Sequence, residues 1–368
     1  MALSATEQAR LVLGWGHRPK DLRTYGVTDG TRTPRDAEGL LSHTWLAEQV
    51  HPALNARPAQ VLTGNKWVFY RLMAASGVPI PHTLGLYDPV HGLSWDGRRR
   101  LRTADDVLAE VDRVRPDGLV LKPAGGQQGK GLLILDQIDH ASGRATTRTG
   151  RVTTLAAAVA EVDVAGMGDA PGYIVQVPVP SHPEYQRLAP WTTNTIRVVT
   201  LADLAGEVQV QAAVTILGRR GTMANNWHAG GVNVGVDITT GVMGRGNLFG
   251  ESRWLTEHPD TGEPFGGTVV PDWDRILQVC RSAAVLLPGI RSIGWDVVAT
   301  PTGPVVLEGN SGWDPVLVQV HGRGFVADET IRAQFVAAGA PMPTGPRLGN
   351  AVGRTMRRVR SVRRLLPR

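Results

Sequence analysis

The sequence predicts an α+β fold, with a mixed-sheet core as the variant. Three observations carry that expectation. From Gly118 onward, short β-rich runs follow one another between turn clusters: LVLKP, GLLIL, YIVQV, TIRVVTL, VQVQAAVTIL, VNVGVDI, IGWDVVAT and PVVLEGN. Helical patterns at 153–165 and 273–287 lie among these runs. There is no repeat of fixed period, and 368 residues with 42% hydrophobic content suffice for the cores of two or three domains.

Taken in order, residues 1–60 read as mainly helical and loop-like, most clearly in AEGLLSHTWLAEQVHPAL. A second helix is expected from Asn65 to Ser76, stopped by Gly77 and by Pro79 and Pro81. A loop rich in turn residues and arginine, DPVHGLSWDGRRR, leads to a helix at 103–115. The β-rich stretch then runs to Asn310, and APMPTGPRLGN at 340–350 reads as a linker.

Charge and cysteine use narrow the function classes. A single cysteine, Cys280, excludes an internal disulfide framework and a cysteine-rich zinc site, and its setting in RILQVCRSAAVLL suggests a small buried hydrophobe. No apolar h-region opens the sequence and no apolar run approaches 18 residues, so a cytoplasmic protein without a membrane span is expected. Residues 354–368, RTMRRVRSVRRLLPR, hold seven arginines and no acid, which exceeds the whole net charge of +6. The body is therefore near neutral, and no nucleic-acid partner is expected. Met356, Val359, Val362 and Leu365 recur every three residues in that tail. Such a basic helix could rest on an anionic membrane or a partner enzyme; a frayed, solvated terminus is the other reading. Only four of the 39 basic residues are lysines: Lys20, Lys66, Lys122 and Lys130.

Two of those lysines flank one glycine turn, in GLVLKPAGGQQGKGLLIL. A strand enters, a glycine-rich turn runs from Gly125 to Gly131, and a second strand leaves. Glycine allows close backbone approach, so successive N–H groups can surround phosphate oxygens. A Walker A loop is excluded, because Ala124 and Gly131 stand where glycine and Ser/Thr are required and no helix follows. A plain tight turn remains the alternative. Lys122 sits inside an apolar strand, where an ammonium is costly without an anion beside it. A surface strand with its lysine in solvent is the competing reading.

The strongest constellation is IGWDVVATPTGPVVLEGNSGWD. A turn at Pro301-Thr302-Gly303, centred on residue 302, places Asp296 opposite Glu308 if the hairpin has no bulge. Asn310 then falls on the same face. Two carboxylates directly across a strand pair repel, and a divalent cation reverses that sign with the hard oxygens Mg2+ prefers. In TNTIRVVT, Arg197 could clamp a phosphate or serve in an ordinary salt bridge. ANNWHAGGVNVGVD offers a polar turn in which His228 reads as structural or exposed rather than as a base. Gly244 to Gly250 has the wrong spacing for a dinucleotide fingerprint.

These pieces resemble the ATP-grasp superfamily, most of all its sugar-transfer-associated, glutamate-ligase-like group. The matching stretches are NKWVFYRLMAASGVPIP, LKPAGGQQGKG, YIVQVPVPSHPEYQRL, TNTIRVVT, the AGG turn and GWDVVATPTGPVVLEGN, across roughly residues 60 to 320. The resemblance implies two α+β lobes clasping ATP, after a short helical N-terminal region. The expected division is 1–60 helical, 61–175 first lobe, 176–335 second lobe and 336–368 linker and tail. By position, Lys66 and Lys122 resemble the lysines on the ATP phosphates. Gly125, Gly126, Gln127, Gln128, Gly129, Lys130 and Gly131 resemble the loop over them. Gln176, Val177 and Val179 fall where the hinge meets adenine, and Glu184 where the ribose lies. Asp296, Glu308 and Asn310 match the residues that hold Mg2+, expected as two ions with Mn2+ able to substitute. Arg197, with Lys122, matches the catalytic residues that steady the transferred phosphate.

Departures are Gln176 in place of a hinge acid, Asn225-Asn226 in place of Asp-Asn, and the absence of a Rossmann-like domain in residues 1–60. The resemblance implies an ATP-dependent ligase joining a small-molecule carboxylate to an amine. A small-molecule kinase and a nucleotide-binding scaffold are the rival readings.

Overall fold

The computed structural model describes residues 3–125, 131–162, 171–222 and 225–346. The chain divides into two compact units. The larger, Asn55–Phe249 with Trp254–Trp313, contains both sheets. The smaller joins Met1–Leu54, Gly250–Arg253 and the chain from Asp314 onward.

In the larger unit, the first sheet is built from β1 (Thr83–Tyr87), β2 (Leu93–Ser94), β3 (Leu119–Pro123), β4 (Leu133–Asp139), β5 (Arg144–Thr147), β6 (Val152–Thr154) and β7 (Tyr173–Gln176). Their order is β2-β1-β7-β3-β4-β5-β6. The second sheet takes β8 (Thr195–Ala202), β9 (Val208–Leu217), β10 (Val232–Val236), β11 (Met243–Asn247), β12 (Trp254–Leu255), β13 (Ser292–Thr300) and β14 (Gly303–Asn310), ordered β12-β11-β10-β9-β8-β13-β14. Every described strand pair is antiparallel, so the α+β expectation holds and the mixed-sheet variant does not.

There are two apolar cores, one on the first sheet alone and a larger one that joins Leu86 and Ile174 of the first sheet to the second sheet. Helices Ala104–Val114 and Leu155–Ala160 cover the first sheet, where Val107, Val111, Leu119, Leu121, Leu135 and Val175 pack together. The Ala104–Val114 helix starts where expected, because Thr103 and Asp106 form a capping box. Helix Trp273–Ala284 packs on β8, β9, β13 and β14. It buries Trp273, Ile276, Leu277, Cys280 and Ala284, the three-and-four spacing of a one-sided helix. Cys280 is indeed buried. Gly244 and Gly246, rejected as a nucleotide fingerprint, lie in β11 instead. A Cβ at Gly246 would stand 2.7 Å from the Phe265 ring, so only glycine fits there.

In the smaller unit, Gln319 fixes the association across 278 residues of chain. Its side chain accepts from the Leu41 N–H at 2.9 Å and donates to the Leu41 carbonyl at 2.9 Å. Arg32 donates to the Val320 carbonyl at 2.6 Å and Trp45 to that of Pro341 at 2.6 Å. These bonds group Asp314 onward with the N-terminal helices, so the two-sheet unit ends at Trp313, short of the expected 335. No described helix is long and apolar enough to cross a membrane.

Candidate functional site

Asn65 caps the Lys66–Ala75 helix by accepting from the N–H groups of Trp67 at 3.0 Å and Val68 at 3.3 Å. Gly77, at φ +74°, follows its end. The helix buries Phe69, Tyr70 and Met73, which places Lys66 and Tyr70 one turn apart. The Lys66 N–H also donates to the Ala124 carbonyl at 2.8 Å, tying the helix start to the chain leaving β3. β3 and β4 pair with Leu121 opposite Leu133, so the segment from Ala124 to Gly131 joins two antiparallel strands as expected. Gly125 is half-buried, and Gly131 takes φ +71°, a conformation glycine adopts without strain. Gly126, Gln127, Gln128, Gly129 and Lys130 lie outside the described residues, as does the 354–368 tail.

On the second sheet, Arg197, Asp296 and Glu308 stand side by side on β8, β13 and β14. Asp296 is opposite Glu308 as expected, but by a different route. The turn has two residues, Pro301-Thr302, with Thr300 paired to Gly303. That turn alone would set Asp296 against Leu307. A bulge between Val306 and Glu308 takes Leu307 out of the pairing and restores the opposition. Asn310 shares the face, and its amide donates to Asp296 at 3.3 Å and to Glu308 at 3.2 Å.

Arg197 grips Asp296 with two charge-assisted bonds, Nε to Oδ1 at 2.7 Å and Nη2 to Oδ2 at 2.9 Å. Lys66 Nζ is 3.7 Å from Glu308 Oε2. Lys122 Nζ donates to the Tyr70 hydroxyl at 2.5 Å, and that hydroxyl donates to the Leu307 carbonyl at 2.5 Å. The bulge therefore does two jobs: it faces the carboxylates together and turns a backbone acceptor toward Tyr70.

Burial pushes the Asp296 carboxyl up, and the neighbouring Glu308 charge adds to this against the pull of Arg197. Burial would raise Glu308 too, but Lys66 and Lys122 outweigh it and hold that carboxyl low. Burial lowers Lys122 to about 8 despite Glu308 and Asp296. Among the described residues, no group of three or more His, Cys, Asp and Glu side chains converges. The donor set open to a cation would be the two carboxylates, joined by the Asn310 amide oxygen once that amide, whose nitrogen faces them here, turns over. These hard oxygens, drawn together across a strand pair by Arg197, Lys66 and an amide, fit Mg2+ completed by phosphate and water.

A sequence profile of the sugar-transfer-associated ATP-grasp proteins matches residues 46–332. The chain belongs to this family. No curated protein matches this ATP-grasp chain in sequence. Among solved structures it is similar to a biotin carboxylase–β,γ-ATP complex from Campylobacter jejuni, at 13% identity and TM-score 0.46, covering 79% of this chain and 50% of that one. It is also similar to N5-carboxyaminoimidazole ribonucleotide synthetase from Thermotoga maritima (11%, TM-score 0.37, 70% and 44% covered). A third is L-amino acid ligase from Bacillus licheniformis (12%, TM-score 0.37, 69% and 41% covered). The chain thus spans half or less of the length of each.

The remaining expected residues of this ATP-grasp chain lie on the segment that leaves β7. Gln176 ends that strand, buried, and donates to Thr83 Oγ1 at 2.9 Å. The Val177 N–H donates to the His82 carbonyl at 2.9 Å. Val179 lines a cavity of about 280 Å3 with Asp136, Arg148, Gln186 and Trp191; none of the charged cluster lines it. Glu184 lies on the helix Pro183–Leu188 and pairs with Arg187 at 3.2 Å, on an exposed face.

Tyr70 was not singled out by sequence, although its position four residues after Lys66 on one helix face was a usable signal. Tyr70→Phe is expected to cost about 1–3 kcal/mol, because it leaves the Leu307 carbonyl without its donor and Lys122 without its acceptor. Urea unfolding measures this; an unchanged midpoint would show that the hydroxyl contributes nothing.

Proposed function

We propose that this protein is an ATP- and Mg2+-dependent carboxylate–amine ligase working through an acylphosphate. The observation that carries the reading is the convergence of Lys66, Lys122 and Arg197 on the Asp296–Glu308–Asn310 face, in a chain of the ATP-grasp family. A substrate carboxylate oxygen bonds to the γ-phosphorus as the bond to the β,γ-bridging oxygen breaks and ADP leaves. The amine nitrogen then bonds to the acyl carbon, gives up a proton to solvent, and displaces phosphate. Mg2+ held by Asp296, Glu308 and Asn310 would neutralise charge on the phosphate oxygens. Lys66 and Lys122 supply point charges for the same oxygens, and Arg197 fixes Asp296 while reaching toward the transferred group. Chemistry of this kind needs positioning and charge stabilisation rather than a protein nucleophile.

The partners are then a small carboxylate and a small amine, in the cytoplasm. The test is ADP release over a panel of carboxylates with hydroxylamine as the amine. Hydroxamate formation supports the ligase; a stable phosphorylated product without hydroxamate would replace it with a kinase. Equal co-sedimentation with anionic liposomes, with and without residues 354–368, would end a membrane role for the tail.

A further inference from the structure

One hydroxyl joins three strands at the charged cluster. Tyr70 Oη donates to the Leu307 carbonyl on β14 at 2.5 Å and accepts from Lys122 Nζ on β3 at 2.5 Å. The direction of both bonds is forced. A carbonyl only accepts and an ammonium only donates, so the single phenolic proton goes to Leu307 and the oxygen takes Lys122. A phenol oxygen has a second lone pair, and the Gln176 amide on β7 acts on it. Gln176 stands opposite Val120, which makes it the diagonal neighbour of Lys122 on one face of the first sheet. The same amide also donates to Thr83 Oγ1 at 2.9 Å.

Every hydrogen-bonding position of this hydroxyl is therefore in use, by groups from both sheets. The ring itself is fully buried and meets Phe69 edge to face, with centres 5.7 Å apart. What the hydroxyl fixes is a lysine with no acid of its own. Lys66 lies against Glu308, whereas among the described residues Lys122 forms no ion pair. Its ammonium is 5.0 Å from the centre of the Tyr70 ring. A lysine stem is flexible and its three donors rotate, so a single fixed acceptor decides where the charge stands and leaves two N–H groups for a ligand.

We propose that Tyr70 is a positioning residue for the nucleotide: its hydroxyl, anchored on the Leu307 carbonyl, holds the Lys122 ammonium where an oxygen of the β- or γ-phosphate meets it. This rests on the nucleotide site of the ligase reading, and it names what gives that site its affinity for phosphate as distinct from nucleoside. Leu307 precedes Glu308, so a lysine of the first sheet is set from the strand that bears a cation ligand of the second. Without the hydroxyl the ammonium keeps its charge but has no fixed place, and ordering it falls to the ligand.

The test is calorimetric titration of the full chain with MgADP and, separately, with AMP. It is run on the wild type, Tyr70→Phe, Lys122→Met and the double variant. Tyr70→Phe is expected to weaken MgADP binding about tenfold. AMP, which has no β-phosphate, should bind as before, and this guards against misfolding, since a damaged fold weakens both ligands. In the Lys122→Met background the same substitution should change MgADP affinity by no more than about twofold, because a residue acting through Lys122 has nothing left to act on. An unchanged MgADP affinity in Tyr70→Phe, an equal loss for AMP, or a tenfold loss that persists without Lys122 overturns the proposal. A wild type that binds no MgADP overturns the nucleotide site and the Tyr70 role together. Hydroxamate formation is scored separately: the Tyr70 effect without hydroxamate rejects the ligase reading alone, and hydroxamate without the effect rejects the Tyr70 role alone.

Discussion

Asp296→Asn is expected to lower turnover about a hundred- to a thousandfold and to destabilise the protein by about 3–5 kcal/mol. The two effects have different origins. Turnover falls because one of three cation donors becomes neutral. Stability falls because Arg197, whose side chain is only 13% exposed, loses the carboxylate that it holds at 2.7 and 2.9 Å. Removing one partner of a buried pair leaves the other charge uncompensated, which costs more than removing both. The double substitution Asp296→Asn with Arg197→Met should therefore regain much of the stability and none of the turnover. Urea unfolding and ADP release on the single and double variants check this. Turnover that survives Asp296→Asn would remove the metal role from this face.

Lys122→Met should act in the opposite direction on stability, making the protein inactive yet harder to unfold at pH 7. Burial depresses the Lys122 pKa to about 8, from 10.5 in an unhindered lysine. The unfolded chain therefore binds this proton more tightly than the fold does. As pH falls from 10.5 the lysine takes stability away, and the full penalty is present below about 8. Methionine keeps the length of the side chain without the charge, so the gain at pH 7 is roughly 1–3 kcal/mol. It should shrink as the pH rises through 8 toward 10.5. Thermal melts of both proteins from pH 7 to 10 measure it. A variant that melts at or below the wild type at pH 7, or a pH-independent gain, would show that Lys122 is not held at a cost. A fold that keeps a destabilising ammonium beside two carboxylates is storing affinity for a more negative ligand.

Much of the site could be read from residue spacing because it depends on local rules. Asn65 caps, Gly77 stops, and the intervening pattern buries one face, so the Lys66–Ala75 helix needed no tertiary information. The Asp296–Glu308 opposition was foreseen from a turn one residue too long and a strand assumed straight, two errors that cancel. No residue pattern around Leu307 announces a bulge, since its signature is a missing pairing rather than a residue type. β11 was invisible for a related reason: MGRGN alternates glycine with Met, Arg and Asn, and what requires glycine is the Phe265 ring brought from elsewhere. The grouping of Asp314 onward with residues 1–54 rests on Gln319 reaching Leu41 across 278 residues, a separation no local rule addresses. Likewise, the stacking of Arg71 on Trp95 was not legible, because it depends on Trp95 reaching it from a separate loop.

The Leu307 bulge changes what would count as a portable unit of this site. Transplanting Asp296, Glu308 and Asn310 onto a regular hairpin with the same two-residue turn would face the aspartate with residue 307 and turn both remaining donors to the opposite side. A graft that instead lengthens the turn by one residue would recover the opposition but lose the carbonyl that anchors Tyr70. Pattern searches at fixed Asp-to-Glu spacing would score these two backbones alike, although only one brings the hydroxyl that supports Lys122.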